Sequence, residues 1–201
     1  GGGLRLRLGI RLRLERGVVG MRPWAVWAIG AALVALAWGV VQITPSDDAA
    51  TEPFAVPVAV GETALARAFE VSVTDPRLGT RATAGSWSAE GTWLVVDVTA
   101  TARYDEMNAL ILHAELMVDG VAYRASERPA SIFRQPLAVG VPRSGSLAFE
   151  LPAAAVDRTG SLTLGLSDDT RLDSLVEVPI DLGSLTRQAD VELTPTGWAT
   201  P

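Results

Sequence analysis

One run of twenty residues without a charge, Trp24 to Ile43 ("WAVWAIGAALVALAWGVVQI"), constrains what this chain can become more than any other feature. Gln42 is its one strongly polar residue. As an α-helix the run would reach about 30 Å, the thickness of a bilayer's hydrocarbon core. The apolar region of a secretory signal is shorter, about 7–15 residues. Cleavage would also need small residues at the −3 and −1 positions. Gly39 with Val41 is a poor pair, and Asp47 or Asp48 falls where a small residue is wanted. The run therefore reads as an anchor that stays, a transmembrane helix over 24–43, rather than a leader that is removed. Trp24, Trp27 and Trp38 suit the headgroup level at its ends. Ala31, Ala35 and Gly39 form a small-xxx-small stripe, although alanine-rich helices produce such stripes by chance.

Charge gives the run a direction. Up to Arg22 six arginines stand against Glu15, a balance of +5. After residue 43 eleven arginines stand against 22 carboxylates, a balance of −11, and together these make the net −6. Basic flanks stay in the cytoplasm, so residues 1–23 read as a basic cytoplasmic segment and everything after the run as extracytoplasmic. An acidic globular part argues against nucleic-acid binding, which needs a basic face to displace counterions. All 17 basic residues are Arg, a usage that suggests GC-rich, actinobacterial coding. The first twenty residues, "GGGLRLRLGIRLRLERGVVG", have two readings. They are a polybasic tail attracted to the anionic inner leaflet, or they precede a true start at Met21 or a nearby valine codon.

Residues 44–63 carry Pro45, Pro53 and Pro57 with no helical period and read as an extended linker. From 64 to 194 the pattern is β throughout. "FEVSV" alternates Phe69, Val71 and Val73 with polar residues, and "GTWLVVDVTATA" sets Leu94, Val96, Val98, Ala100 and Ala102 on one face. The other face of that strand carries Trp93, Val95, Asp97, Thr99 and Thr101. "LILHAELMVDGVAYRAS" is a hairpin about Asp119-Gly120, the pair that a type I′ turn prefers. "SIFRQPLAV", "GSLAFELP", "GSLTLGLS" and "LVEVPIDL" are further strand runs, with single helical turns expected at 104–110 and 152–157. The expectation is an all-β, immunoglobulin-like sandwich of about 7–9 strands. Residues 195–201 form a tail in which Trp198 either docks along an edge or is left loose.

The order "FEVSV", "GTWLVVDVTATA", "LMVDGVAY", "GSLAFELP" resembles the telokin-like, immunoglobulin-like extracellular domains of Gram-positive bacteria. The resemblance covers roughly residues 64 to 182. It implies an exported domain attached by a lipid or a membrane helix, in a family whose members are mostly of unknown function. This chain has no cysteine and cannot carry the lipidated cysteine of the lipoprotein members. That returns anchoring to residues 24–43.

Residues that carry chemistry are few. His113 is the only histidine and shares a strand face with Glu115 by spacing; nothing resembles a nucleophile elbow, and a lone strand histidine is usually structural. Asp168, Asp169 and Asp173 could offer oxygens to Ca²⁺, but EF-hand spacing is missing and turn aspartates usually accept backbone N–H bonds. Asp105, Glu106 and Asn108 have the same status. "GVPRSG" lacks the spacing and Lys of a phosphate loop. Trp87 and Trp93 are either a sugar or protein contact or part of the core. No catalytic residue, metal site or cofactor is assigned. The expected role is a non-enzymatic cell-envelope interaction or accessory module, with a protein partner and the membrane, through Trp24 to Ile43, as its contacts. The competing reading is an envelope hydrolase or a calcium-dependent sugar-binding domain.

Overall fold

The computed structural model describes residues 22–43, 53–104, 109–171 and 173–199. Met21, residues 44–52 of the expected linker and the Asp105, Glu106 and Asn108 candidates, with most of the helical turn expected there, lie outside the described residues. The chain divides into two units, residues 1–47 and 48–201.

In the first unit, α1 (Pro23–Ile43) begins with proline, whose fixed φ and missing N–H suit the first helical position. Its described side chains, over 24–39, are apolar on every side and mostly exposed, Trp27 at 81%. That described stretch is short of a full span, and among the described residues no helix is long and apolar enough to cross a membrane. The structure thus gives a helix where the sequence predicts an anchor, without showing that it spans.

Among the described residues, the second unit is a sandwich of two sheets holding twelve strands. The five-stranded sheet has the order β1 (Phe54–Pro57), β9 (Ser174–Asp181), β8 (Thr159–Gly165), β5 (His113–Val118), β6 (Val121–Arg124). The seven-stranded sheet runs β10 (Arg187–Gln188), β3 (Phe69–Ala84), β4 (Trp87–Ala102), β7 (Arg143–Leu151), β12 (Gly197–Trp198), with β2 (Thr63–Leu65) and β11 (Val191–Glu192) also on β3. The period-2 alternation decides which residues meet between them. Phe69, Val71 and Val73 face inward with Leu94, Val96 and Val98, against Leu116, Leu162 and Val178 of the opposite sheet. Asp119 and Gly120 take φ of 49° and 78°, as a type I′ turn requires, and connect β5 to β6 in two residues. A 3₁₀ turn at Ala153–Ala155 fills the helical position expected near 152–157.

Two expectations change, and the open choice for the tail falls to the docked edge. Residues 54–57, read as linker, form β1, which pairs parallel with β9 from Phe54↔Ser174 to Pro57↔Glu177. Pro57 hides a strand here because an edge strand tolerates proline on its open side. "SIFRQPLAV" is not a strand. Arg134 has φ 60° and Pro136 lacks an N–H, so the segment makes isolated bridges and inserts Ile132 and Leu137 into the core. The tail is part of the sheet, since Gly197 and Trp198 pair with Ser144 and Arg143 of β7, and Arg143 lies 4.5 Å from the Trp198 ring.

The last change has a larger setting. Residues 187–198 cross the outer face of the seven-stranded sheet as a strap, parallel to β3 at one edge and antiparallel to β7 at the other. Val191 and Leu193 bury Trp93, Val95, Ala82 and Ala148 in a second apolar cluster, which is why the outward face of β4 can carry Trp93 and Val95. Gly79 allows the close approach: a Cβ there would lie 2.8 Å from both methyls of Val191. Gly79→Ala is expected to cost about 1–3 kcal/mol by overpacking. Val191→Ala in the same chain should recover part of that loss in a thermal melt, and a pair of purely additive losses would show that the contact is not the cause.

Candidate functional site

The surface that gathers most sequence-predicted chemistry is the outer face of the five-stranded sheet around β5. Alternation puts Ala114 and Leu116 into the core and turns His113, Glu115 and Met117 outward. On β8 the matching outward residues are Ser161 and Thr163, with His113 opposite Gly165 and Glu115 opposite Thr163. The Thr163 hydroxyl donates to the Glu115 carbonyl at 3.2 Å and lies 2.9 Å from His113 Nε2. The Thr163 hydroxyl thus bridges the Glu115 carbonyl and the His113 ring.

Glu115 and His113 do share a face, but the carboxylate is engaged elsewhere. Arg124 Nε donates to Glu115 Oε1 at 2.9 Å, and its Nη2 stands 3.9 Å from Asp168. Next along the sheet, the Ser161 hydroxyl donates to Glu177 Oε1 at 2.7 Å. Burial pushes the half-buried His113 ring down; Glu115 and Asp168 raise it, Arg124 lowers it, and the net value lies below the ordinary 6.5. As pH falls, the unfolded chain therefore takes the proton first. The stability linked to neutral His113 is whole above pH ~6.5 and is lost as pH drops through the folded value. An NMR titration should place His113 below 6.5, and His113→Gln should flatten that part of the pH–stability curve. A titration at or above 6.5 would contradict the burial argument.

The three loop carboxylates diverge. Asp169 accepts from Arg171 Nε at 2.9 Å, Nη2 at 2.8 Å and the Arg171 backbone N–H at 3.2 Å, and these bonds hold its carboxyl at about 2. Asp173 accepts from Arg67 Nη2 at 3.1 Å and from the Ser174 N–H at 2.8 Å. Asp168 turns toward Arg124. Among the described residues no three His, Asp or Glu side chains are placed to hold a metal ion.

Trp93 is fully buried, and Trp87 packs edge-on against it with ring centroids 5.7 Å apart. The Arg128 guanidinium lies 5.7 and 5.5 Å from the two ring centres and donates to Glu150 Oε2 at 2.9 Å. Of the two readings of this pair, Trp93 takes the core one.

Sequence reasoning missed a polar cluster beneath the strap. A bulge in β3 between Thr74 and Arg77, with Asp75 at φ 47°, aims Arg77 at Asp97. Arg77 donates to Asp97 through Nη2 at 2.9 Å and Nη1 at 3.2 Å, and pairs with Asp75 as well. Ser146 donates to Asp97 Oδ1 at 2.5 Å, Thr194 Oγ1 donates to both carboxylate oxygens at 3.2 Å, and the Thr194 N–H donates to Ser146 Oγ at 2.7 Å. The available signal was Asp97 itself, a carboxylate on the face that carries Trp93 and Val95.

No family model matches the chain, and no curated protein matches it. Among solved structures, the secreted protein MPT63 of Mycobacterium tuberculosis is similar at 14% identity and a TM-score of 0.49, covering 64% of this chain and 100% of its own. An uncharacterised β-sandwich protein of Clostridium difficile 630 is similar at 10% identity and a TM-score of 0.44, covering 68% of this chain and 99% of its own. The two sheets by themselves make the chain a β-sandwich, and no family model stands behind the narrower telokin-like resemblance.

Proposed function

We propose that this chain is a single-pass membrane protein whose acidic β-sandwich stands outside the cell and acts as a non-enzymatic interaction or accessory module of the cell envelope. The observation that carries the anchor is α1: its described side chains present apolar surface on all sides, and a helix of that kind needs an apolar environment. The described part alone is too short to span; the uncharged sequence from Trp24 to Ile43 supplies the length. The balance of +5 before it and −11 after it supports the orientation.

The binding role rests on how the chemical side chains are used. His113 Nε2 is hydrogen-bonded to Thr163, and Asp169 and Asp173 are held by arginines and backbone N–H groups. These are roles in building loops and sheet faces, which are what sandwiches present to partners.

Alkaline extraction of native membranes should leave the protein in the pellet, and gentle solubilisation should bring a protein partner with it. A mature N-terminus between Thr44 and Glu52 would overturn the anchor. A rise in melting temperature with Ca²⁺ would favour the sugar-binding reading over the inert module.

A further inference from the structure

We propose that the end of the sandwich at which β1 begins rests on the lipid bilayer, with its apolar rim sunk to the headgroup level. This contact rests on the anchor proposed above and adds the face that the domain turns to the lipid. Phe54, Leu65, Tyr104, Val141 and Trp198 are exposed at this end, Tyr104 at 73%. The ladders bring them together. Phe54 stands opposite Ser174 at the start of β9, and Leu65 opposite Glu70 at the start of β3. Tyr104 follows the end of β4, where Ala102 faces Phe69. Val141 precedes β7, whose first residue, Arg143, pairs with Trp198. Arg67 ties the two sheets at this level, its N–H donating to Ser174 Oγ at 3.3 Å and its Nη2 to Asp173 Oδ1 at 3.1 Å. The opposite end is built of charge. Arg158 stands 3.4 Å from Asp119 and Arg187 2.7 Å from Asp157, with Val121 exposed beside them.

A bilayer is the occupant because of where the tether enters and what the rim is made of. Residues 44–53 separate Ile43 from Phe54, a length of chain that reaches at most about 36–40 Å. The end that carries Phe54 is therefore the one kept near the lipid. The rim runs from β1, at one edge of the five-stranded sheet, to β12, at one edge of the seven-stranded sheet. Apolar side chains scattered across a whole end suit a fluid surface, which needs no matching shape, better than a shaped protein partner. Tyrosine and tryptophan, rings with a polar tip, settle at the headgroup level. Arginines stand among them, Arg103 at 4.9 Å from the Tyr104 ring and Arg143 at 4.5 Å from the Trp198 ring. The carboxylates that flank the rim are matched: Asp173 by Arg67, Glu70 by Arg103, Asp168 by Arg124 and Asp169 by Arg171. The acidic domain thus offers the lipid a part whose negative charge is already compensated.

The chain has no cysteine, so one introduced thiol carries one label. Full-length Tyr104→Cys, bearing an environment-sensitive fluorophore, is reconstituted in phosphatidylcholine vesicles that contain lipid spin-labelled at the headgroup. Ser86→Cys, on the exposed β3–β4 turn at the opposite end, is the water-facing control. Label at 104 should emit to the blue of label at 86 and be quenched roughly threefold more. Phe54→Ser with Leu65→Ser, added to Tyr104→Cys, should bring the quenching down to the control level. Equal quenching at 104 and 86 would overturn the docked end, and is the result if the true occupant is a protein, since the vesicles hold none. Equal quenching at 104 with and without the two serines would overturn it too, showing nearness through the tether only. Alkaline washing of the same vesicles tests the anchor separately. A chain that survives the wash with its label unquenched keeps the anchor and loses the docked end. A chain that washes off after showing the full quench at neutral pH does the reverse. Should Tyr104→Cys fail to fold by circular dichroism, Val141→Cys carries the label with the same outcomes.

Discussion

Chains ending at Leu185 are expected not to hold the sandwich at all. The strap that they lack buries Val191 and Leu193, each contributing about 1.5–3 kcal/mol. Its removal also exposes Trp93, Val95 and Ala148 on the sheet face and takes Thr194 from Asp97. Together these losses reach about 5–8 kcal/mol, the same order as the whole stability of a domain, about 5–15 kcal/mol. The truncated protein should lose its cooperative melt and bind a hydrophobic dye. Leu193→Asp should approach the same state with the chain otherwise complete. A truncated form that melted within a few degrees of the parent would show the strap to be decoration.

The second large effect is expected at Asp97. Its carboxylate holds Arg77, Ser146 and Thr194 together, and the Arg77 and Asp97 side chains are only 17% and 25% exposed. Removing one member of so enclosed a pair leaves the other charge unmatched, and Asp97→Ala should cost about 3–5 kcal/mol. Replacing both charges, as Arg77→Met with Asp97→Leu, should cost less than Asp97→Ala alone, because the penalty lies in the orphaned partner. Burial pushes the Asp97 carboxyl up, but bonds from Arg77, Ser146 and Thr194 outweigh it, and the group ends below its ordinary 3.8. Its contribution is therefore complete above pH ~4 and is lost as pH falls through the folded value. Urea midpoints measured from pH 6 down to pH 2 should fall for the parent and fall less for Asp97→Ala. Parallel curves would mean that other carboxylates set the acid limb.

The parts of the fold that could be read ahead were those with long periods. Sixteen residues in each of β3 and β4 give alternation enough to assign the faces of Leu94 and Val96, and Asp119-Gly120 marks its own turn chemically. The strap could not be read this way. Two-residue strands have no period, and the partners of Arg187 and Val191 lie far back in the sequence at Leu78 and Ala82. The segment 131–139 misled because its apolar content is real: Ile132 and Leu137 are core residues, delivered by an irregular backbone around Arg134 and Pro136. At the candidate site, spacing placed His113 beside Glu115. Their separate engagement with Thr163 and Arg124 needed neighbours from β8 and β6, which no local pattern supplies.

The strap also sets an order of events. Thr80 and Arg77 meet the Ala189 and Glu192 carbonyls across 109 and 115 residues of chain. Contacts that distant form late and slowly, because loop closure must precede the reward. A chain emerging N-terminus first would have β1 to β9 in hand while the outer face around Trp93 was still bare. Until residues 187–198 arrive, that face is an open apolar surface. The interval between the emergence of β9 and the closing of the strap is when this protein most needs a chaperone.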